Sequence, residues 1–388
     1  MQFNLIAHTN NPPDTRFMVT DRTKNWGHVP YEYLLSKHLI TQQEYCNFLN
    51  EVAIQEDTHN LFSPLESFRN INDSNNQYNI FFENNKYNVK NGFENKPVVN
   101  IDFYSACRFC NWMHNECPIN TIQDNYSTED GAYNFLSRDL VVIQKNNEAK
   151  YWIPSDNEWY KAAYYDHKRI GGKPAYWLYP NKSDSPPIPS TEKDYFSINT
   201  DNVFNGLSDV NYFDIYNTSY FDIVDMGGNV YEWISDIVDS KFRIVRGGSY
   251  NRSRENAASV YRRKLAPELK LNHVGFRICK ISSTKIISIG LYNTYGDGWK
   301  NSTIDIYDNN HKKIISNEFL DFGYGPKCID LSLPLGCDYV NIVYNSNNNK
   351  YSYENYIKIF DNTGLSGSCL FTTKEHEEIP SNINMAIN

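Results

Sequence analysis

No apolar stretch in these 388 residues approaches the roughly 20 that a membrane-crossing helix requires, so a span is not expected. No long basic run is present either. Acidic residues outnumber basic ones 46 to 37 for a net charge of −9, which sets aside nucleic-acid binding and the clustered positive face it needs. The segment Met1 to His8 lacks the charged-then-apolar layout of a signal peptide, and the expectation is a soluble chain not exported by the standard route. A second C-x-x-C is missing as well. The single one, Cys107-Arg108-Phe109-Cys110, lies in a stretch that reads as a helix face, so its cysteines are expected to be buried small hydrophobes or one half of a disulfide rather than a redox or zinc site.

What is abundant is aromatic: 30 Tyr and 21 Phe, beside an excess of Asn, Ile and Lys over Ala and Arg. These residues have AT-rich codons, so the composition reports on the genome, fitting a protist or a large DNA virus, more than on chemistry. The length suits about two domains, and 40% hydrophobic residues suffice for buried cores.

The grammar of the chain changes near Lys280–Lys285. Before it, helical patterns alternate with loops. Thr41 precedes Glu44 at capping-box spacing, and Tyr45, Phe48, Leu49 and Val52 share a helix face. Asp102 to Met113 repeats the pattern, and Pro154-Ser155 opens a third helix to Ala163. After the boundary, Ile286–Leu291, Ser302–Tyr307, Tyr339–Tyr344 and Tyr356–Phe360 alternate as strands between Gly/Asn/Asp turns, predicting a small all-β sandwich. The Asn-rich stretch Asn70–Asn91 reads as a surface insertion. The predicted organisation is one domain over 1–281, a β-sandwich over 285–373 and a flexible tail over 374–388.

Five segments carry a family likeness in order and spacing: Lys96-Pro97-Val98-Val99, Tyr151-Trp152-Ile153-Pro154-Ser155-Asp156-Asn157-Glu158-Trp159, Asp225-Met226-Gly227-Gly228-Asn229-Val230-Tyr231-Glu232-Trp233, Arg246-Gly247-Gly248-Ser249-Tyr250 and Val274-Gly275-Phe276-Arg277. Together they resemble the formylglycine-generating, or sulfatase-modifying factor, family. The resemblance implies an α+β, C-type-lectin-like core with long loops.

In that family the Gly227–Trp233 segment forms a calcium site. Here Asn229, the Val230 carbonyl and Glu232 offer the mixed oxygen set that suits a hard cation, so calcium at those residues is expected. The competing reading is that Glu232 pairs with Arg246 or Arg277. The family's enzymes also bind copper through two thiolates that follow the Arg-Gly-Gly-Ser segment. In this sequence Arg252 and Ala257 take those places, and no cysteine lies between Cys117 and Cys279. No copper is therefore expected, and no catalytic residue is assigned. Ser249, Arg252 and Arg262 are the binding-pocket candidates. The resemblance also suggests a disulfide between Cys110 and Cys279.

In the C-terminal part, Tyr295-Gly296-Asp297-Gly298-Trp299 resembles a hairpin of small β-sandwich modules, with Trp299 as a core anchor. Cys328 or Cys337 could pair with Cys369. The sequence favours a non-catalytic binding or structural protein of a virion or cell surface, with a protein or glycan ligand. A metal-dependent oxidase or other enzyme with an unrecognised site, and an inactive paralogue regulating a sulfatase-modifying enzyme, stay open as alternatives.

Overall fold

The computed structural model describes residues 1–62, 78–136, 142–169, 175–282, 285–307, 311, 313–333, 339–361, 365 and 368–386. The chain divides into two compact units, Met1–Ile281 and Ser282–Asn388.

The first unit begins with β1 (Phe3–Ile6), β2 (Tyr33–Ser36) and helix α1 (Gln42–Val52). Thr41 caps α1 as its spacing predicts: the Thr41 hydroxyl accepts from Glu44 N at 3.1 Å, and the Glu44 carboxylate accepts from Thr41 N at 3.0 Å. A hairpin follows, β3 (Ile80–Glu83) and β4 (Lys86–Val89). This corrects the reading of the Asn-rich stretch as surface alone. Tyr78, Ile80 and Tyr87 are buried, and Asn50 of α1 fixes Tyr87 through both its backbone groups. Residues 70–77 of that stretch lie outside the described residues.

Helix α2 (Phe103–His114) starts at Asp102, whose carboxylate accepts from Ser105 N at 2.6 Å. It is buried nearly all round, and its one buried cation, Arg108, is held by both oxygens of Glu129 at 2.7 and 2.8 Å. After β5 (Tyr151–Trp152), the Ser155/Glu158 capping box opens α3 (Asp156–Tyr164). The short pair β6 (Ile188–Pro189) and β7 (Ser197–Ile198) leads to β8 (Tyr231–Val238), β9 (Phe242–Arg246), β10 (Arg263–Leu265), β11 (Val274–Gly275) and β12 (Cys279–Ile281).

Two four-stranded sheets organise these pieces, in the orders β1-β2-β12-β5 and β10-β9-β8-β11. The first takes in Tyr151–Trp152, and the second carries the strand residues of the Gly227–Trp233, Arg246 and Val274-Gly275 motifs. In it β11 runs parallel to β8, with Val274 opposite Tyr231 and Gly275 opposite Glu232. Gly275 has a packing reason to be glycine, since a Cβ there would stand 2.5 Å from the Val98 carbonyl oxygen.

Cys110 and Cys279 do not form the expected bridge. Both are free, fully buried thiols, held well above the ordinary thiol range by desolvation. In the apolar packing between α2 and the β2-β12-β5 edge they act as small hydrophobes. Cys107 is likewise a buried thiol.

The second unit contains β13 (Lys285–Asn293), β14 (Thr303–Tyr307), β15 (Lys313–Glu318), β16 (Lys327–Leu333), β17 (Tyr339–Asn345), β18 (Asn355–Phe360), β19 (Cys369–Thr372) and β20 (Asn382–Ala386). They form two antiparallel sheets, β16-β13-β18-β19 and β15-β14-β17-β20. Alternate residues of both sheets, among them Ile287, Ile289 and Ile357 from one and Ile304, Ile342 and Ile383 from the other, enter one buried cluster around Trp299. The flexible tail over 374–388 is corrected here. Strand β20 pairs with β17, setting Ile383 opposite Ile342 and Met385 opposite Val340, because its own alternation offers an apolar face to that cluster.

Tyr295–Trp299 is not the expected hairpin: it connects β13 and β14, which belong to different sheets, and it anchors the core. Gly298 adopts φ +78°, and a Cβ there would collide with the Asp321 carbonyl oxygen. The Trp299 indole is fully buried and donates to Tyr292 O at 2.7 Å. Cys328 and Cys369 are exposed and not joined to each other by a disulfide; Cys337 lies outside the described residues.

Candidate functional site

The Gly227–Trp233 segment folds as a tight loop running into β8. Asn229 takes a left-handed conformation, φ 56°, as does Gly228 before it, φ 80°. Glu232 points inward and is fully buried. Its Oε2 accepts from Arg277 Nε at 2.6 Å and Trp159 Nε1 at 2.7 Å, while Oε1 accepts from Arg277 Nη2 at 3.0 Å. Arg277 spends its remaining donors on the carbonyls of Ser36, Lys37 and Val224. A guanidinium bound bidentately to a carboxylate is among the stronger charge-assisted pairs, and here it takes up both oxygens of Glu232. Of the readings the sequence offered for Glu232, the ion pair with Arg277 is present: it ties β8 to the segment that follows β11 and to β2.

Asn229 faces the other way. Its Nδ2 donates to Asp225 Oδ2 and to Ser208 O, each at 3.2 Å, and its Oδ1 accepts from Ser208 N at 3.2 Å and Asn199 Nδ2 at 3.4 Å. Asp225 is fully desolvated, and burial pushes its carboxyl up to about 7 against the pull of Asn229 and Arg277. The Oδ1 of Asn199, whose Nδ2 meets Asn229, is buried with no donor among the described residues. Asp225 was not among the residues singled out from the sequence, although its place at the head of the motif was the available signal.

A second buried node lies at the start of α3. Asp156 is fully buried and binds two guanidiniums at once, those of Arg246 and Arg262. Arg262 also pairs with Asp21 and stacks over Trp26, its guanidinium carbon 4.3 Å from the ring centre. Asp236 joins the node by accepting from Asp156 N at 2.6 Å, and burial followed by the Asp156 charge pushes its carboxyl up to about 6. Arg262, expected as a pocket residue, is thus mostly committed to holding loops together. It also lines, as expected of a pocket residue, a cavity of about 300 Å³ together with Arg263, Lys264, Asp21, Val238 and Tyr261.

The remaining candidates follow Gly247-Gly248. Ser249 is fully buried and donates to Asn251 Oδ1 at 2.9 Å, a hydroxyl closing a turn with no histidine or carboxylate bonded to it among the described residues. Arg252 is exposed. Ala257 ends a short 3-10 turn, Arg254–Ala257, and is buried where Gly227 and Gly248 approach it closely. Its carbonyl accepts from Tyr164 OH at 3.0 Å. The structure thus brings Ser249 and Arg252 into one turn, Arg252 N donating to Ser249 O at 3.0 Å.

The histidines stay scattered. His38 meets Asp214 at 2.7 Å, His59 meets Glu129 at 3.2 Å, and His8 stacks on His167 with ring centres 3.8 Å apart. Among the described residues no group of three His, Cys, Asp or Glu is gathered to hold a metal.

Residues 19–281 match the family described as the sulfatase-modifying factor enzyme 1-like domain. Among solved structures, Treponema denticola variable protein 1 is similar over 72% of this chain and 94% of its own, at 16% identity and a TM-score of 0.42. CarF is similar over 72% of this chain and 98% of its own, at 14% identity and a TM-score of 0.42. PvdO from Pseudomonas aeruginosa is similar over 72% and 94%, at 15% identity and a TM-score of 0.41. No curated protein matches.

Proposed function

The chain belongs to the sulfatase-modifying factor enzyme 1-like domain family, and from that membership we propose a member that binds rather than catalyses. The observation that carries this reading is the loop after Gly247-Gly248-Ser249. The family's copper enzymes place two thiolates there; this chain places the exposed Arg252 and the buried Ala257. Neither side chain can ligate Cu(I), which soft sulfur ligands select. The buried thiols Cys107, Cys110 and Cys279 belong to the α2 core and are held protonated by desolvation.

In this reading the loops around β8 and β11 of a C-type-lectin-like core present a binding surface, and the second unit is a β-sandwich module. Exposed rings of that module, Tyr295, Phe322 and Tyr324 at 61, 81 and 67% exposure, support a surface-displayed protein with a protein or glycan ligand. A virion or cell surface fits that role. Where calcium contributes, the oxygens that suit it are those of Asp225, Asn229 and Asn199, supported by the donorless Asn199 Oδ1.

The test is elemental analysis of the purified protein, with and without a mild chelator, combined with an oxygen-consumption assay on a thiol peptide. Calcium alone, or no metal, with no oxygen uptake is the expected result. Stoichiometric copper or iron with thiol-dependent oxygen uptake would replace this reading with that of an oxidase.

A further inference from the structure

Two guanidinium groups near the loop after Ser249 stand without a counter-ion among the described residues. This is unexpected on a chain with nine more acids than bases. Arg246, Arg262 and Arg277 each hold a carboxylate. Among the described residues none lies within ion-pair distance of Arg252 or Arg263, and the two acids lining the adjoining cavity, Asp21 and Asp239, are already paired with Arg262 and Lys264.

Arg263 faces the Tyr231 ring, and the charges of both arginines reach Tyr231 and His273. The Arg263 guanidinium carbon lies 5.8 Å from the Tyr231 ring centre, and the His273 ring lies 6.3 Å from it. The backbone sets this convergence. Tyr231 N donates to His273 O at 2.9 Å where β8 meets β11, Arg263 opens β10 opposite Val245, and Arg252 N closes a turn onto Ser249 O at 3.0 Å. Burial first, then the charges of Arg252 and Arg263, push the His273 imidazole down to about 4. Its Nδ1 sits 3.0 Å from Asn272 Oδ1, which places the proton of the neutral ring there.

Tyr231 supplies the second sign, its hydroxyl oxygen lying toward the Arg263 donors. The residue is 1% exposed, yet its hydroxyl proton finds no acceptor among the described residues. Buried donors are normally satisfied, and leaving one unmade costs its desolvation. Two uncompensated cations and one buried O–H donor share a single missing partner: a group with several anionic oxygens.

We propose that Arg252, Arg263 and the Tyr231 hydroxyl form a binding site for a tetrahedral oxyanion of the sulfate or phosphate class. Two guanidiniums match the charge of a dianion and the fork geometry of its oxygens. The anion is either free or the terminal group of a larger ligand, whose organic part would occupy the cavity of about 300 Å³ that Arg263 also lines. This inference rests on the reading of the chain as a binding protein.

The experiment is isothermal titration calorimetry of the full chain with sodium sulfate, sodium phosphate and phenyl phosphate, against sodium chloride at matched ionic strength. One saturable site is expected for the tetrahedral anions and none for chloride. Arg252→Gln and Arg263→Gln should each weaken binding about tenfold or more, and Tyr231→Phe, which keeps the ring and its packing, by roughly three- to tenfold. Arg254→Gln, which alters a neighbouring arginine already beside Glu255, should bind as wild type does. Tighter binding of phenyl phosphate than of phosphate assigns the site to an ester; equal or weaker binding assigns it to the free ion. Absence of a saturable site for all three anions, or undiminished binding by the Arg252, Arg263 and Tyr231 variants, overturns the proposal. Metal content and oxygen uptake are measured separately, so such a failure would leave the non-catalytic reading standing.

Discussion

Replacing Glu232 by Gln decides between the two roles its motif suggests. The side chain keeps its shape but loses its charge, and Arg277 is left fully buried without compensation. Three charge-assisted hydrogen bonds converge on this carboxylate, two from Arg277 and one from Trp159. Breaking a buried pair by removing one partner costs about 3–5 kcal/mol. For a unit of this size that corresponds to a fall of roughly 6–20 °C in its unfolding midpoint. The assay is thermal unfolding followed by circular dichroism, run with added calcium and with chelator. An ion pair predicts the same loss in both buffers. A calcium ligand predicts a loss confined to the calcium buffer. A destabilisation below about 1 kcal/mol, the range of an exposed pair, would refute the ion-pair account outright.

Asp225 gives a prediction of opposite sign. Its folded pKa of about 7 lies above the ordinary 3.8, so the folded chain holds a proton that the unfolded chain releases. Stability from this group is complete below pH 4 and is lost as pH rises through 7; at 1.36 kcal/mol per pKa unit the span is at most roughly 4 kcal/mol. Asp225→Asn should therefore flatten the stability profile between pH 5 and 8 in chelator, whereas added calcium should stabilise the wild type at pH 8 and not the variant; an unchanged profile would count against the buried neutral carboxyl. Trp299→Ala should cost the second unit about 3–5 kcal/mol, seen as faster hydrogen exchange in β13, β14 and β17, and normal protection there would contradict its place at the centre of that core. Under native conditions a thiol reagent should label Cys328 and Cys369 within minutes and leave Cys107, Cys110 and Cys279 untouched, as mapped by peptide mass spectrometry; rapid labelling of the last three would disprove their burial.

Much of the local structure was legible because its causes are local. The Thr41/Glu44 box closes within one helical turn, so the residues at that spacing are enough to announce α1. The alternation of Tyr339–Tyr344 and Tyr356–Phe360 marks strands because each inward side chain meets the same core. The same signal was present in Asn382-Ile383-Asn384-Met385, where alternating asparagines disguised a strand as a tail. The hairpin over Ile80–Val89 was hidden in a similar way, since its buried Tyr78, Ile80 and Tyr87 sit among residues whose abundance tracks codon usage.

The site was less legible. The motifs announced the family and left the partners of each charge undetermined. Glu232 could have met a cation or Arg277, and Arg262 could have faced solvent or Asp156. The outcomes depend on pairs 45 and 106 residues apart in sequence.

The sequence by itself determined the helices, most strands, the change of grammar near Ile281 and the loss of thiolates at Arg252 and Ala257. These rest on hydrogen bonds within a turn, on periodicity, or on the identity of one side chain. Only the tertiary structure decided that Glu232 neutralises Arg277, that Asp156 absorbs Arg246 and Arg262, and that Arg252 and Arg263 are left over. A buried charge takes whichever opposite charge the fold delivers within a few ångströms, and one-dimensional spacing carries no record of that delivery.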